Sequence, residues 1–231
     1  MEFVIILIVS ILLLLILAIM YSFNIKNIKK IKNMANIEKL DKIAKKYPEN
    51  IEICQEYLNK LKNGKVKVEE NKDSDVTIYI ALSDKILIGN LKNSYTRIQT
   101  IAHECLHSIQ SRKLLIFNFI FSNIYLLYFL IIILLNIFNK IENQMFYLEI
   151  LTLFGLIYYS VRMYLENDAM IKAKYLAKEY MEEKNISTKE EIDEIVKQYD
   201  KVNEIGIKFV NYQMLSGIII KIMIFAILSM F

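Results

Sequence analysis

Apolar side chains are concentrated in four stretches of the chain, and polar or charged side chains fill the intervals between them. The four stretches, built mainly from Ile, Leu, Val, Phe and Tyr, are residues 3 to 23, 114 to 138, 145 to 164 and 213 to 231. A helix of about 20 apolar residues crosses the hydrocarbon layer of a bilayer. The pattern therefore predicts a mainly α membrane protein with about four transmembrane helices.

The distribution of lysine predicts the orientation of these helices. Eight lysines lie between residues 26 and 46, directly after the first apolar stretch, together with two acidic residues. Because positively charged segments remain in the cytoplasm, residues 24 to 113 and 165 to 212 are predicted inside, with both chain ends outside. The first stretch has no basic leader and no A-x-A cleavage site, which favours a retained anchor over a signal peptide. We expect a multi-pass protein of the plasma membrane.

This pattern divides the chain into five segments. They are a membrane anchor (1 to 24), a cytoplasmic region (25 to 113), a transmembrane hairpin (114 to 164), cytoplasmic helices (165 to 212) and a C-terminal transmembrane helix (213 to 231). A capping box at Thr188-Lys-Glu-Glu191 predicts that a helix begins inside the fourth segment.

The cytoplasmic region between the first two spans combines helical and extended periodicities. Helices are predicted over residues 25 to 47 and from Pro48 to Asn63. Short alternating segments then predict a small antiparallel ribbon of strands over residues 65 to 70, 76 to 82 and 85 to 88. Ser94 is a candidate cap for the next helix. From Tyr95 to Phe138 there is no glycine or proline, so this helix is predicted to continue into the second membrane helix.

Composition narrows the possible partners. The net charge is +4, and the lysines are interleaved with acidic residues, so no nucleic-acid partner is expected. The two cysteines, Cys54 and Cys105, do not form a C-x-x-C pair, and both lie in segments predicted to be cytoplasmic. Reduced thiols are therefore expected, and Cys105 is predicted to be a packed side chain rather than a metal ligand.

His103, Glu104 and His107 form the H-E-x-x-H pattern. The chain has two histidines, and both belong to this pattern. On a helix, positions i and i+4 lie on one face, where two imidazoles can bind one Zn²⁺ ion. A glutamate directly after the first histidine can take a proton from a water molecule bound to that zinc. The pattern predicts a zinc site with Glu104 as the general base.

A catalytic zinc needs three protein ligands, and no third histidine exists, so a carboxylate is expected to complete the site. Glu166 follows the third apolar stretch, and the preceding hairpin returns the chain to the membrane face that carries His107. Asp168 lies close by and is a candidate acceptor that orients a ligating imidazole. The alternative is that both acids are solvated residues on a charged helix.

The arrangement resembles the YugP-like membrane zinc metallopeptidases. The resemblance rests on residues 102 to 110, an Ala-His-Glu-x-x-His-x-Ile-Gln segment, and on residues 166 to 169, a Glu-x-Asp-Ala segment. The anchor, the apolar hairpin and the final apolar segment have the same order in that family. The chain differs in carrying Leu106 where the family usually has glycine. A looser likeness connects it with the HtpX and CAAX-endoprotease metalloproteases.

Together these features predict a membrane-bound zinc metalloendopeptidase, whose active site faces the cytoplasm and whose substrates are proteins or peptides near the bilayer. A strand before the motif helix pairs with the extended substrate in many zinc proteases, or else only packs on that helix. Candidate donors to the developing oxyanion are Tyr164, Tyr199, Tyr212, Arg97 and Arg112. The alternatives are a non-catalytic membrane adaptor with a structural zinc, and a site-2-type intramembrane protease. The polar side chains around the motif disfavour the intramembrane alternative.

Overall fold

The structure is a computed structural model and describes residues 1 to 34, 37 to 91 and 94 to 231. In chain order its elements are α1 (Glu2–Met20), α2 (Ile25–Met34), α3 (Glu38–Ala44), α4 (Asn50–Lys60), β1 (Lys67–Glu70), β2 (Ile78–Ile80), β3 (Lys85–Ile88), α5 (Arg97–Ile109), α6 (Arg112–Ile137), α7 (Gln144–Lys184) and α8 (Lys189–Leu228). The described chain is mainly helical with one small sheet, which confirms the predicted mainly α class at this level.

The chain divides into two compact units. The apolar unit comprises Met1–Ile25, Phe117–Tyr164 and Lys208–Phe231, and the site unit comprises Lys26–Ile116 and Leu165–Ile207. Helices α6, α7 and α8 each contribute residues to both units. The two units are described separately below.

The apolar unit contains helical segments that are long and apolar enough to cross a membrane. Four helices, α1, α6, α7 and α8, meet this criterion, as the sequence predicts. Helix α7 has 41 residues and so extends about 60 Å, roughly twice the thickness of the hydrocarbon layer. Its first half is apolar and its second half is charged, and the order is reversed in α8. Most apolar side chains of this unit are exposed or only partly buried, and a small buried cluster includes Tyr125, Leu151 and Phe225.

The sheet of the site unit has the strand order β1-β3-β2. Strand β3 pairs in parallel with β1 and antiparallel with β2, so the predicted antiparallel ribbon is wrong for β1. Strand β3 is therefore the central strand, and its Ile86 and Ile88 are fully buried. The chain between β1 and β2 crosses closely over Gly89, where a Cβ would lie 2.7 Å from backbone atoms of Ser74 and Val76. This crossing places β2 on the opposite edge of β3 from β1.

The site unit packs around α5. Its core combines buried side chains of α3, α4, α5 and the sheet with those of the charged halves of α7 and α8. Arg97, at the start of α5, is buried and donates hydrogen bonds to the carbonyl oxygens of Ala44, Tyr47 and Pro48, each at 2.9 Å. Hydrogen bonds to a charged donor are stronger than neutral ones, so Arg97 fixes α5 to the α3–α4 connection.

Several predicted helix ends differ from the structure. The helix predicted over residues 25 to 47 is divided into α2 and α3, and residues 35 and 36 between them lie outside the described residues. Helix α4 ends at Lys60, because Lys62 adopts a left-handed conformation with φ 56°. The hydroxyl of Ser94 accepts from the Thr96 amide at 3.3 Å, in the turn that precedes α5, and the helix itself begins at Arg97.

The motif helix does not continue into the second apolar helix, which corrects the sequence prediction. Helix α5 ends at Ile109, and Gln110 has an extended backbone with φ −68° and ψ 166°. The Ser111 hydroxyl then accepts a hydrogen bond from the Leu114 amide at 3.4 Å, and α6 begins at Arg112. The Gln110 side chain turns into the site unit instead of extending the helix surface, and Ser111 serves as the cap of the new helix.

The capping box at the start of α8 is confirmed. The Thr188 amide donates to Glu191 Oε2 at 3.1 Å, and the Glu191 amide donates to Thr188 Oγ1 at 3.3 Å. This reciprocal pair satisfies two amides that have no partner within the helix. Helix α8 therefore begins where the sequence predicts, at Lys189.

Candidate metal site

His103, His107 and Glu166 converge in the site unit, as the sequence predicts. Each offers one ligand atom, and these atoms all lie within 4.8 Å of one another. The two Nε2 atoms are 3.0 Å apart, and Glu166 Oε2 lies 3.4 Å from His103 Nε2 and 3.8 Å from His107 Nε2. The three side chains could therefore hold a metal ion.

These separations match those around a tetrahedral metal. Bonds of about 2.0 to 2.1 Å at tetrahedral angles place neighbouring ligand atoms about 3.3 Å apart. The observed values of 3.0, 3.4 and 3.8 Å lie on both sides of that figure. The imidazole planes of His103 and His107 are inclined at 89°, so their lone pairs approach one point from different directions. The ligand set of two imidazoles and one carboxylate leaves a fourth position open, which is typical of catalytic zinc.

Packing against the core fixes these ligands in place. The inner face of α5 buries Ile98, Ile101, Ala102 and Cys105. On α7, small side chains recur at helical spacing at Ala169, Ala173 and Ala177, and all three are fully buried. Small side chains allow close helix packing, and Glu166 lies one turn before the first of them on the same face. The sequence could have shown this stripe as a reason for Glu166 to face inward.

Gln110 orients the His107 ring, a role that the sequence analysis assigned to Asp168. The side chain of Gln110 donates through Nε2 to the Leu165 carbonyl oxygen at 2.9 Å and to Asp168 Oδ2 at 3.1 Å. A carbonyl oxygen can only accept, so the amide oxygen of Gln110 faces His107 Nδ1, at 2.8 Å. Nδ1 therefore carries a proton, so Nε2 is the ring nitrogen that can bind a metal when the ring is neutral.

Asp168 acts on His107 through Gln110 and not by direct contact, which corrects the predicted arrangement. Its second oxygen, Oδ1, lies 2.5 Å from Lys172 Nζ, one turn later on α7. Burial raises the pKa of Asp168, but the hydrogen bonds from Lys172 and Gln110 more than offset this and lower it overall. Asp168 is therefore an anionic acceptor that holds the Gln110 amide in its orientation.

The three ligands are sheltered from water but not sealed. Their side chains are 19 % exposed for His103, 8 % for His107 and 13 % for Glu166. Burial lowers the pKa of His107, but hydrogen bonding to Glu166 and the charges of Glu104 and Glu166 more than offset this and raise it. The carboxylates thus favour a positive charge at this position, which an imidazolium or a metal cation can supply.

Glu104 lies beside the ligands without being needed as one. Its Oε1 is 4.0 Å from His103 Nε2, and its Oε2 accepts a hydrogen bond from the Tyr79 amide of β2 at 2.7 Å. Burial raises the pKa of Glu104, and the nearby histidines and the Tyr79 amide offset this only in part. A carboxylate with a raised pKa is a better proton acceptor than an exposed one, as general-base catalysis requires.

The structure removes two of the five candidate oxyanion donors. Arg97 is committed to backbone carbonyls of the α3–α4 connection, and the fully buried Tyr199 donates to the Tyr95 carbonyl at 2.6 Å. Tyr164 and Tyr212 belong to the apolar unit. Arg112 remains in the site unit, where it contacts the Leu82 carbonyl at 3.5 Å.

The two cysteines are packed thiols, which confirms that Cys105 is not part of the ligand cluster. Cys54 on α4 and Cys105 on α5 are both free and fully buried. Their sulfur atoms are 3.6 Å apart, within the core that joins these two helices. Burial raises the pKa of the Cys105 thiol, so it stays protonated and unreactive at neutral pH.

Two contacts at the site were not predicted from the sequence. Gln110 belongs to the family-like segment and to the polar residues that flank the motif, but its contact with His107 depends on the end of α5 at Ile109. The Tyr79 amide that binds Glu104 is a backbone group, so no residue type could have indicated it.

Comparisons with known proteins add no assignment to this site. No protein-family model matches the chain, and no curated protein or solved structure matches it either. The interpretation of the site therefore rests on its geometry and on the chemistry of its side chains.

Proposed function

We propose that the protein is a membrane-bound zinc metalloendopeptidase that hydrolyses peptide bonds of membrane or membrane-proximal proteins. The observation that carries this proposal is a general-base candidate, Glu104, placed beside three converging ligands that do not require it. A purely structural site closes its fourth position with another protein ligand, whereas His103, His107 and Glu166 leave it open.

The side chains divide the chemistry between them. Zinc, when bound, supplies a Lewis acid that makes water more acidic and polarises the carbonyl of the scissile bond. Glu104 takes the proton from the attacking water and then delivers it to the leaving amine. His103, His107 and Glu166 hold the metal, and Gln110 keeps the His107 ring in the required orientation.

The membrane part of the proposal is supported by the exposed apolar surface of the apolar unit. Soluble monomers rarely expose apolar patches larger than a few hundred Å², whereas α1 and α6 expose most of their large apolar side chains and the apolar parts of α7 and α8 expose several more. Glu166 follows the apolar unit by two residues along α7. We therefore place the substrate near the bilayer, and the lysine distribution favours the cytoplasmic side.

The resemblance to YugP-like metallopeptidases belongs to this proposal as well, and it rests on residues 102 to 110 and 166 to 169. In that family-like layout the same two segments supply the zinc ligands and the base. The contacts of Gln110 give the final residue of the first segment a reason to be there.

A non-catalytic adaptor with a structural metal is the second candidate, and one contact favours it. The hydrogen bond from the Tyr79 amide to Glu104 ties β2 to α5, so Glu104 also has a structural use. Under this alternative the metal would fix α5 against α7, and Glu104 would not transfer protons. The two candidates differ in what happens when Glu104 loses its basicity.

The substitution Glu104→Gln separates the two candidates. The glutamine oxygen can still accept from the Tyr79 amide, so the fold and zinc content should be unchanged. A protease should lose about 10²- to 10⁴-fold in turnover, measured on a membrane-peptide library in detergent with zinc quantified in the same samples. Glu190→Gln, at an exposed position of α8, is the matched control and should behave like the parent.

A metal-site control completes this experiment. His107→Ala should lose most of the zinc and all activity, because it removes one of three ligands. If Glu104→Gln keeps its zinc and cleaves as fast as the parent, the protease proposal is wrong. If the parent binds zinc and cleaves no peptide, the adaptor becomes the better description.

A further inference from the structure

A pocket of about 240 Å³ opens beside two of the candidate ligands, His103 and Glu166. Its remaining walls come from three helices of the site unit. They are Thr96, which directly precedes α5, Gln99 and Thr100 of α5, Met170 of α7, and Val202 and Asn203 of α8. Thr100 lies about one turn before His103, and Met170 one turn after Glu166, so the pocket continues from the candidate metal site along these helices.

The pocket has no partner for a charged guest. Among the described residues that line it, only His103 and Glu166 are ionisable, and both are committed to the candidate metal site. Gln99 Nε2 donates to Asn203 Oδ1 at 2.6 Å, and Asn203 Nδ2 donates to the Met170 carbonyl oxygen at 3.2 Å. The two amides therefore largely satisfy each other and the backbone.

The pocket also has an apolar side. Met170 and Val202 are partly buried and supply apolar surface beside the hydrogen-bonded amides. Gly206 leaves room for the end of Met170, because a Cβ there would lie 3.2 Å from Met170 Cε. A charged side chain entering this space would lose its hydration without a compensating partner, whereas an apolar one would gain from burial.

The size of the pocket fits a single side chain. Its volume is below the roughly 300 Å³ at which pockets for whole small molecules begin. A medium-sized side chain such as that of Leu or Met can enter it while its backbone remains at the candidate metal site.

We propose that this pocket binds an uncharged, medium-sized side chain of the substrate next to the bond that is cut. The inference rests on the proposed peptidase function and adds the substrate class to it. Val202 is the residue that determines the preference, because it lines the apolar side and has no hydrogen bond that a substitution would break.

The test measures binding to the zinc-loaded full chain in detergent, by calorimetry, with three hydroxamates as metal-directed probes. Acetohydroxamate has no side chain, and the blocked hydroxamates of leucine and lysine differ only in theirs. We expect the parent to bind the leucine probe at least tenfold more tightly than the lysine probe, as hydrophobic pockets discriminate to this degree. Val202→Asp should reverse this order, and Val202→Phe should weaken the leucine probe alone.

A control variant separates the effect of a carboxylate inside the pocket from that of a carboxylate beside it. Lys201→Asp also introduces a carboxylate at the neighbouring, exposed position, changes the net charge by two units instead of one, and should still leave the order of the three probes unchanged. If the parent binds acetohydroxamate but the leucine and lysine probes bind equally, the pocket inference is wrong and the metal site stands. The inference is equally wrong if Val202→Asp keeps the order of the parent. If the parent binds no zinc or no hydroxamate, the proposed function fails, and this inference fails with it.

Discussion

Gln110 shows how one neutral side chain can set the chemistry of a neighbouring candidate metal ligand, His107. Three of its hydrogen bonds are used at once, to His107, to the Leu165 carbonyl and to Asp168. Because the carbonyl fixes the amide, the amide fixes the tautomer of the imidazole. Nε2 of His107 therefore faces the candidate metal position, with or without its proton.

Removing this contact should weaken metal binding while leaving all three ligands in place. Gln110→Ala is expected to reduce zinc affinity by about 10- to 100-fold, the usual effect of losing a partner of a ligating imidazole. Competition with a chelating dye at fixed pH measures the effect. Gln55→Ala, at an exposed position of α4, is the matched control. Unchanged affinity in Gln110→Ala would contradict the orienting role.

The raised pKa of His107 predicts that a lower pH stabilises the metal-free protein and weakens the binding of zinc. Without metal, the fold favours the protonated His107 ring. The stabilisation that this gives is complete below about pH 6.5, the ordinary pKa of histidine, and is lost as the pH rises through the raised pKa of the folded protein. Zinc must displace this proton, so its affinity should fall by up to about tenfold per pH unit below that value. Zinc titrations and urea unfolding of the metal-free protein between pH 5.5 and 8 would check both signs. A zinc affinity independent of pH would contradict the prediction.

The residues of the site differ in how far the sequence determines them. His103, Glu104 and His107 depend only on helix geometry over five residues, so their roles could be proposed directly from spacing. Glu166 required the additional assumption that the hairpin returns to the same face. Gln110 could not be predicted, since its role depends on the end of α5, which neither glycine nor proline marks.

At the scale of elements, helix ends carry much of the information in this fold. The end of α5 at Ile109 frees the next side chain for the site, and Ser111 starts α6 with a new cap. The start of α8 was predictable because a capping box is a local signal between Thr188 and Glu191. The pairing of β1 with β3 was not, because parallel pairing depends on where the crossing chain passes.

The capping box gives a test of an element that does not touch the site. Thr188→Ala removes the hydroxyl that accepts from the Glu191 amide and should lower the free energy of unfolding by about 1 kcal/mol. Thr188→Ser retains the hydroxyl and should lose much less. Urea unfolding of the purified protein, with zinc content as a second measurement, would show a stability loss without loss of metal. Equal stability of the alanine and serine variants would argue against the cap.

At the scale of the whole molecule, the division into an apolar unit and a site unit follows from the distribution of charge along the chain. Two helices of about 60 Å contain both an apolar and a charged half. Hydropathy alone therefore identifies the four candidate spans, and the lysines predict their orientation. The structure adds the packing of the site unit, which no local pattern contains because it joins segments separated by more than 50 residues.

The predicted orientation can be tested with introduced cysteines. Cys54 and Cys105 are fully buried, so the native thiols should contribute little background. Lys65→Cys and Lys189→Cys should be labelled by an impermeant maleimide only after the cells are opened, whereas Glu142→Cys should be labelled in intact cells. All three positions are exposed in the structure. Labelling of Lys65→Cys in intact cells would invert the assignment.

The fixed tautomer of His107 has a practical consequence for spectroscopy. The chain has two histidines, and both belong to the candidate site, so a sample labelled with ¹⁵N-histidine contains no imidazole signals from anywhere else. A protonated ring nitrogen and one with a free lone pair resonate far apart. The four signals thus report separately on the Gln110 hydrogen bond, on the protonation of each ring and on metal binding. The composition of this chain turns an otherwise crowded spectrum into a direct view of one site.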